Sequence, residues 1–238
     1  MFTNTKTLFK TVIISPALFP KLAILDAELT LKLPPSITAA TGMDALTHAI
    51  ESYVSKQANP FSQALALQAI KMICTHLPKA FFTGSDLHAR EQMLLGSFLA
   101  GVAFAQSKLG NVHAISHTFG GVFNIPHGIA NATLLPYVIE YNLAACPELF
   151  CEIAIAMGED VDGLSPTQAG RKVVEHVMAL NKAIGIPANI KDLGVDLDYM
   201  PQMVSDSMRS GNVLVNPRLT TAADIERIIT HAFHGTHS

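Results

Sequence analysis

The sequence is poor in charge. Asp, Glu, Lys and Arg make up 15% of its 238 residues, the net charge is −3, and no run of like charge occurs. This excludes the basic footprint of a nucleic-acid-binding protein and a charged interaction tail. Cysteine is scarce too: Cys74, Cys146 and Cys151 are odd in number and form no CxxC. An odd count without CxxC argues against a disulfide framework, and the three read as incidental thiols in a reducing compartment. No membrane-length apolar run exists. The longest such stretch, 93–105, contains Gly96, Ser97 and Gly101 and reads as a buried core helix. Lys6 and Lys10 precede an apolar stretch in the manner of a signal peptide, but Pro16 and Lys21 interrupt it and no small-residue cleavage site follows. The expectation is a soluble, cytoplasmic protein with no nucleic-acid and no membrane partner. There is also no GxGxxG and no GxxxxGK[ST], and Gly120-Gly121 is the only glycine pair. A dinucleotide would find little here to hold its pyrophosphate.

What is present is core-forming material: 49% hydrophobic residues and a mean hydropathy of +0.32. That suffices for one large domain or two small ones and argues against disorder. Residues 1–34 read as extended, with short runs at 11–15 (TVIIS) and 21–26 (KLAILD) punctuated by Pro16 and Pro20. Pro34 and Pro35 close this section, and Ser36 is expected to cap a helix. From there the pattern predicts helices over 36–56, 60–82, 87–107, 113–123, 127–143, 147–157, 165–184, 198–210 and 222–233. The fold class expected is mainly α, a helical bundle with a short β segment at its start.

Two stretches carry the chemistry. GMDALTHAIESY places Asp44 and His48 four residues apart. NVHAISHTFGGVFNIPHGIANA places His113 and His117 four apart, then His127 after Pro126. Residues i and i+4 share a helix face, so one carboxylate and several imidazoles can converge. A lone histidine on an apolar face is usually a hydrogen-bonded core residue. Four with an aspartate among apolar neighbours point instead to a divalent metal such as Fe(II) or Zn(II). Tetrahedral closure needs four donors and leaves one spare; of His113 and His117, one could ligate and the other face a substrate. Gly128 permits close backbone approach beside His127. Phe119 and Phe123 read as core. His76, His88 and His176 stand alone, and His231, His234 and His237 crowd an end expected to be a mobile tail. Asp26 and Glu28 share a face of an extended segment and take no catalytic role.

At these residues the chain resembles the iron-containing (group III) alcohol dehydrogenases, from about Lys10 to its last residues. The stretch SPALFPKLAILDAELTLKLPPSITAATGMDALTHAIESYVS is similar to that family's domain junction and first helix. NVHAISHTFGGVFNIPHGIANATLLPYVIEYN is similar to its second signature, and LVNPRLTTAADIERIITHAF to its last helix. The resemblance implies a two-domain parent enzyme with an α/β nucleotide-binding domain, here largely missing, and a helical metal-binding domain. Residues 1–34 would be remnant strands of the former and 35–238 the helical metal-binding catalytic domain. It implies Asp44, His48, His113 and His127 as metal ligands, His117 as the histidine beside nicotinamide and substrate, and Lys10 near the cofactor. It implies Fe(2+), with Zn(2+) as a substitute, and NAD(P), bound weakly or not at all by this chain. The substrate would be a small primary or secondary alcohol or its aldehyde, and the assembly a homodimer or higher oligomer. The competing readings are a non-catalytic metal-binding module derived from that family, and a lyase like dehydroquinate synthase. Asp44 speaks against the lyase, because that branch resembles this one with glutamate in its place.

Overall fold

The computed structural model describes residues 2–3, 10–11 and 15–237. Its architecture is mainly helical. A two-residue antiparallel ladder pairs β1 (Phe2–Thr3) with β2 (Lys10–Thr11), and β2 lies beside the fourth helix described below. Of the expected strand at 11–15, Thr11 belongs to β2 and 12–14 lie outside the described residues. The expected strand at 21–26 is not formed: the segment is exposed coil between two 3₁₀ turns, Pro16–Leu18 and Ala27–Thr30. Aliphatic character favours a strand only where another strand completes its ladder, and no described residue supplies one. Asp26 instead accepts from the Glu28 N–H and caps the second turn.

Ten helices follow: α1 (Pro35–Val54), α2 (Pro60–Phe82), α3 (Leu87–Ser107), α4 (Asn111–Val122), α5 (His127–Leu143), α6 (Pro147–Met157), α7 (Pro166–Ala183), α8 (Met200–Met208), α9 (Asn212–Val215) and α10 (Ala222–His234). Proline opens α1, α2, α6 and α7, where its fixed φ suits the first turn and its missing N–H is not needed. Reciprocal capping boxes start α2 (Asn59/Ser62), α7 (Ser165/Gln168) and α10 (Thr221/Asp224). Ser36 is not the cap of α1: Pro35 takes the first helical position, so Pro34 becomes the cap residue. The four-residue α9 carries too little pattern to be foreseen.

α1 packs on α2, α3 and α5, and α5 packs on α4, α7 and α10. α1 and α5 are buried on nearly all sides, as helices with little polar face must be. Met43, Leu46, Ile50, Ile70, Ile115, Phe119, Leu134, Leu135 and Phe150 fill the centre. Gly128, second residue of α5, allows this contact: a Cβ there would stand 2.2 Å from the Ala40 carbonyl oxygen of α1. At the opposite edge, the Tyr53 hydroxyl donates to Glu152 and fastens α1 to α6. The cysteines are free, and burial pushes the Cys74 thiol up to about 12 and the Cys146 thiol up to about 11. The expected mobile tail is docked instead: His231 and His234 belong to α10, and His237 stacks on Tyr137 at 4.4 Å with its Nδ1 3.1 Å from Glu140.

Among the described residues no single helix is long and apolar enough to cross a membrane; α3 and α4 pass together only as a pair bent by 105°. That bend occurs at Lys108, which has φ of 62°. Asn124 (φ 54°) makes the turn at the other end of α4. Non-glycine residues in this region cost on the order of 1–3 kcal/mol each and persist where the surroundings impose them. The helix so bracketed carries His113 and His117.

Candidate metal centre

Three helices meet at one point: the middle of α1, the first turn of α4 and the first turn of α5. The i,i+4 spacing on α1 turns Asp44 and His48 to the same side, α4 presents His113, and α5 presents His127. The Nε2 atoms of His48, His113 and His127 lie 3.9, 3.7 and 3.8 Å from a single oxygen, Asp44 Oδ1. Donor atoms of Asp44, His48 and His113 all fall within 4.8 Å of one another. A tetrahedral ion with bonds of about 2.0–2.2 Å holds its ligand atoms roughly 3.5 Å apart, so the set is slightly wider than such a cage. His113 is 1% exposed, whereas Asp44, His48 and His127 are 21–26% exposed, which leaves one side of the cluster open.

The rings are held by stacking. His48 lies between Phe104 and His113, both at 4.7 Å between centroids. His117, one turn after His113, stacks on His127 at 5.3 Å and meets His113 edge-on at 5.9 Å. The structure thus brings together all five residues singled out by spacing, with Asp44 as hub and His117 at the margin. Lys10 lies in β2, and its side chain is outside the described residues. Phe119 is fully buried, and Phe123 is half-buried against Tyr199.

Two residues of the cluster were not anticipated. Glu51 places Oε2 2.6 Å from His113 Nδ1. Asn131 directs Nδ2 at Asp44 Oδ1 (2.5 Å), His113 Nε2 (3.0 Å) and His127 Nε2 (3.1 Å). Both were readable in principle: Glu51 is an acid within the apolar run AIESYV, three residues after His48, and Asn131 follows His127 by four.

The electrostatics are those of a cation site. Burial would raise the Asp44 carboxyl, but His113, then the charges of His48 and His127, win and hold it far below the carboxylate range. For His113, burial disfavours charge, yet Asp44 and Glu51 together raise it to about 9. Burial, then the charge on His113, push His48 down to about 3. The carboxylates thus draw positive charge to this point, the place a metal ion would fill, while His48 is driven to its neutral, ligating form.

The residues fit a divalent ion. One carboxylate oxygen and three imidazole nitrogens form a donor set suited to Fe(II) or Zn(II). The two hydrogens of Asn131 Nδ2 face three acceptors, and its Oδ1 is buried with no hydrogen-bond partner. A cation among these atoms would draw on the same lone pairs that Asn131 faces.

Comparison with known proteins gives a consistent picture. The model of the Fe-containing alcohol dehydrogenase family, C-terminal, matches residues 38–233. A 1,3-propanediol dehydrogenase of Citrobacter freundii is 47% identical over 233 residues, covering 98% of this chain and 60% of that protein. An NAD-dependent methanol dehydrogenase of Bacillus methanolicus is 41% identical over 232 residues, covering 98% and 61%. The crystal structure of a 1,3-propanediol oxidoreductase superposes with a TM-score of 0.86 at 47% identity, covering 87% of this chain and 55% of that one. The chain therefore spans about three fifths of the length of the curated relatives it matches. By family match and by fold, it belongs to the iron-containing alcohol dehydrogenases and corresponds to their C-terminal, helical part.

Proposed function

We propose that this chain provides the metal-binding part of an alcohol dehydrogenase that transfers hydride between a small primary or secondary alcohol and NAD(P). Asp44, His48, His113 and His127 hold one divalent ion, iron by family and zinc as a substitute. Residues 35–238 form the metal-binding domain, and residues 1–34 are remnant strands of a nucleotide-binding domain, with Lys10 a residue near the cofactor. The observation that carries the reading is the convergence of three imidazole Nε2 atoms on one Asp44 oxygen at 3.7–3.9 Å. The names of two relatives add the substrate class, a short alcohol or diol, and NAD for one of them.

When bound, the metal supplies Lewis-acid polarisation of a substrate oxygen and the nicotinamide supplies the hydride acceptor. The chain's own residues do the rest. Asp44 contributes the one negative charge among the four donors, so the site stays net positive towards an oxygen that gains negative charge. The open side left by the partial exposure of Asp44, His48 and His127 admits a small molecule. His117, on that margin, takes the alcohol proton at its imidazole and passes it to water, a role open to a side chain that can both accept and donate a proton. The buried His113 side and the packed α1–α5 contact exclude water from the opposite face.

The test is turnover. The metal-loaded chain should oxidise 1,3-propanediol negligibly alone, because it has no glycine-rich loop for the pyrophosphate. It should gain metal-dependent NAD reduction when joined to the nucleotide-binding domain of a close relative. A joined protein that is folded and metal-loaded yet inactive would favour a non-catalytic metal-binding module.

A further inference from the structure

Glu51 is 3% exposed, and it sits in the last turn of α1. Burying an ion of this kind costs several kcal/mol unless its oxygens are matched. Both are. Oε1 accepts the backbone N–H of Val112 at 2.6 Å, and Oε2 stands 2.6 Å from Nδ1 of His113. The first bond has a structural meaning. α4 begins after Gly110, which has no side chain to cap it, so the free amides of its first turn are met from elsewhere. Glu51 takes that of Val112, at the positive end of the helix dipole, and Asn216 Oδ1 takes that of Asn111 at 3.3 Å. A Cβ at Gly110 would stand 3.0 Å from both acceptor oxygens, so the missing side chain is what lets them in.

The second bond has a chemical meaning. We propose that Glu51 is the positioning residue of the metal centre: by accepting Nδ1–H of His113 it fixes the tautomer whose Nε2 lone pair faces Asp44, His48 and His127. The inference rests on the metal reading given above. An ionised carboxylate can only accept, so Nδ1 must donate. An independent neighbour requires the same tautomer from the other side of the ring. His113 Nε2 lies 3.0 Å from Asn131 Nδ2, an amide nitrogen that can only donate, so a proton on Nε2 would set two donors against each other. The orientation of that amide is itself dictated by Asp44, because reversing it would set two oxygens 2.5 Å apart. Stacking on His48 at 4.7 Å and 19° holds the ring plane. Outer partners of this kind raise ligand basicity and fix ring orientation.

The two oxygens make the roles separable. In Glu51→Gln, the amide oxygen can keep the Val112 cap, while the amide nitrogen presents hydrogens to His113 Nδ1. This selects the opposite tautomer and turns Nε2–H into the donor set. Zinc affinity of the full chain, measured by competition with a chromophoric chelator, should fall by roughly 10–100-fold. Thermal unfolding of the metal-free protein should change little. In a His113→Ala background, Glu51→Gln should have no further effect on zinc affinity, since its action runs through His113. Unchanged affinity in Glu51→Gln, or the same loss in both backgrounds, would overturn the proposal. A measurement without any variant keeps it exposed: in the zinc-loaded wild-type chain with ¹⁵N-labelled histidine, NMR should find the His113 proton on Nδ1, and a proton on Nε2 would refute it. If the wild-type chain takes up no zinc, the metal reading falls as well. If it does and Glu51→Gln binds equally, only the role of Glu51 falls.

Discussion

At the scale of single residues, the five groups at the α1–α4–α5 junction divide by position. Asp44 is the hub, and three imidazole nitrogens surround its Oδ1. His117 lies outside that circle and touches it through His127 and His113 rings. Replacing His117 with alanine should therefore leave most bound zinc or iron in place. In an assembled enzyme it should lower turnover by 10²–10⁴-fold, the usual weight of a positioned proton-transfer group, and should alter the pH profile. Metal analysis and rate measurement on the same preparation check this; metal loss in His117→Ala would show that it ligates. The convergence was legible in the sequence because i,i+4 spacing is a property of the helix alone. Glu51 and Asn131 were not singled out, because their importance lies in partners 62 and 87 positions away, His113 and Asp44. Spacing left His113 and His117 equivalent. The structure separates them by burial, His113 being 1% exposed and His117 half-buried.

At the scale of elements, the geometry of the site depends on how closely α5 lies on α1. Gly128→Ala would drive a methyl group into the Ala40 carbonyl, a backbone neighbour that cannot rotate away. The expected cost is about 1–3 kcal/mol of stability. Because the displacement separates Asp44 from His127, zinc affinity should fall as well. A stability loss with unchanged affinity would show that the site tolerates the shift. α10 offers a separate test. Asp224 completes its capping box and pairs with Arg227 at 2.8 Å. Burial would raise its carboxyl, but hydrogen bonds from the Thr221 hydroxyl and amide and the charge of Arg227 outweigh this and lower it. A carboxylate lowered in the folded state stabilises above its ordinary range near ~4, and loses that contribution as pH falls through the folded value. Asp224→Ala should cost about 1 kcal/mol at neutral pH. The gap in melting temperature from wild type should narrow on acidification; a gap that widens would contradict the sign. Helix limits were legible where proline and cap residues mark them, as at Asn59-Pro60, Asp86 and Ser165-Pro166. The run at 21–26 misled because its aliphatic pattern says nothing about whether a pairing strand is present.

At the scale of the whole molecule, one end differs from the rest. Leu18, Phe19, Leu22, Ile24 and Leu29, on the segment that leads into α1, and Ile37, in its first turn, are exposed. Apolar surface on this scale favours association, so light scattering on the purified chain should find dimers or larger species rather than a monomer. The chain's lack of a glycine-rich loop leads to a second expectation: calorimetric titration with NADH should show weak or undetectable binding. Micromolar affinity would mean that residues here build a cofactor site by other means. The central claim, that Asp44, His48, His113 and His127 hold a metal ion, is most directly tested by metal stoichiometry. The chain would be loaded with Fe(II) under anaerobic conditions or with Zn(II), dialysed, and assayed by elemental analysis beside His113→Ala and His127→Ala. About one ion per wild-type chain and little in either variant is the expected result, since each variant removes one of four donors. Metal retained undiminished in both variants, or absent from the wild-type chain, would contradict the account.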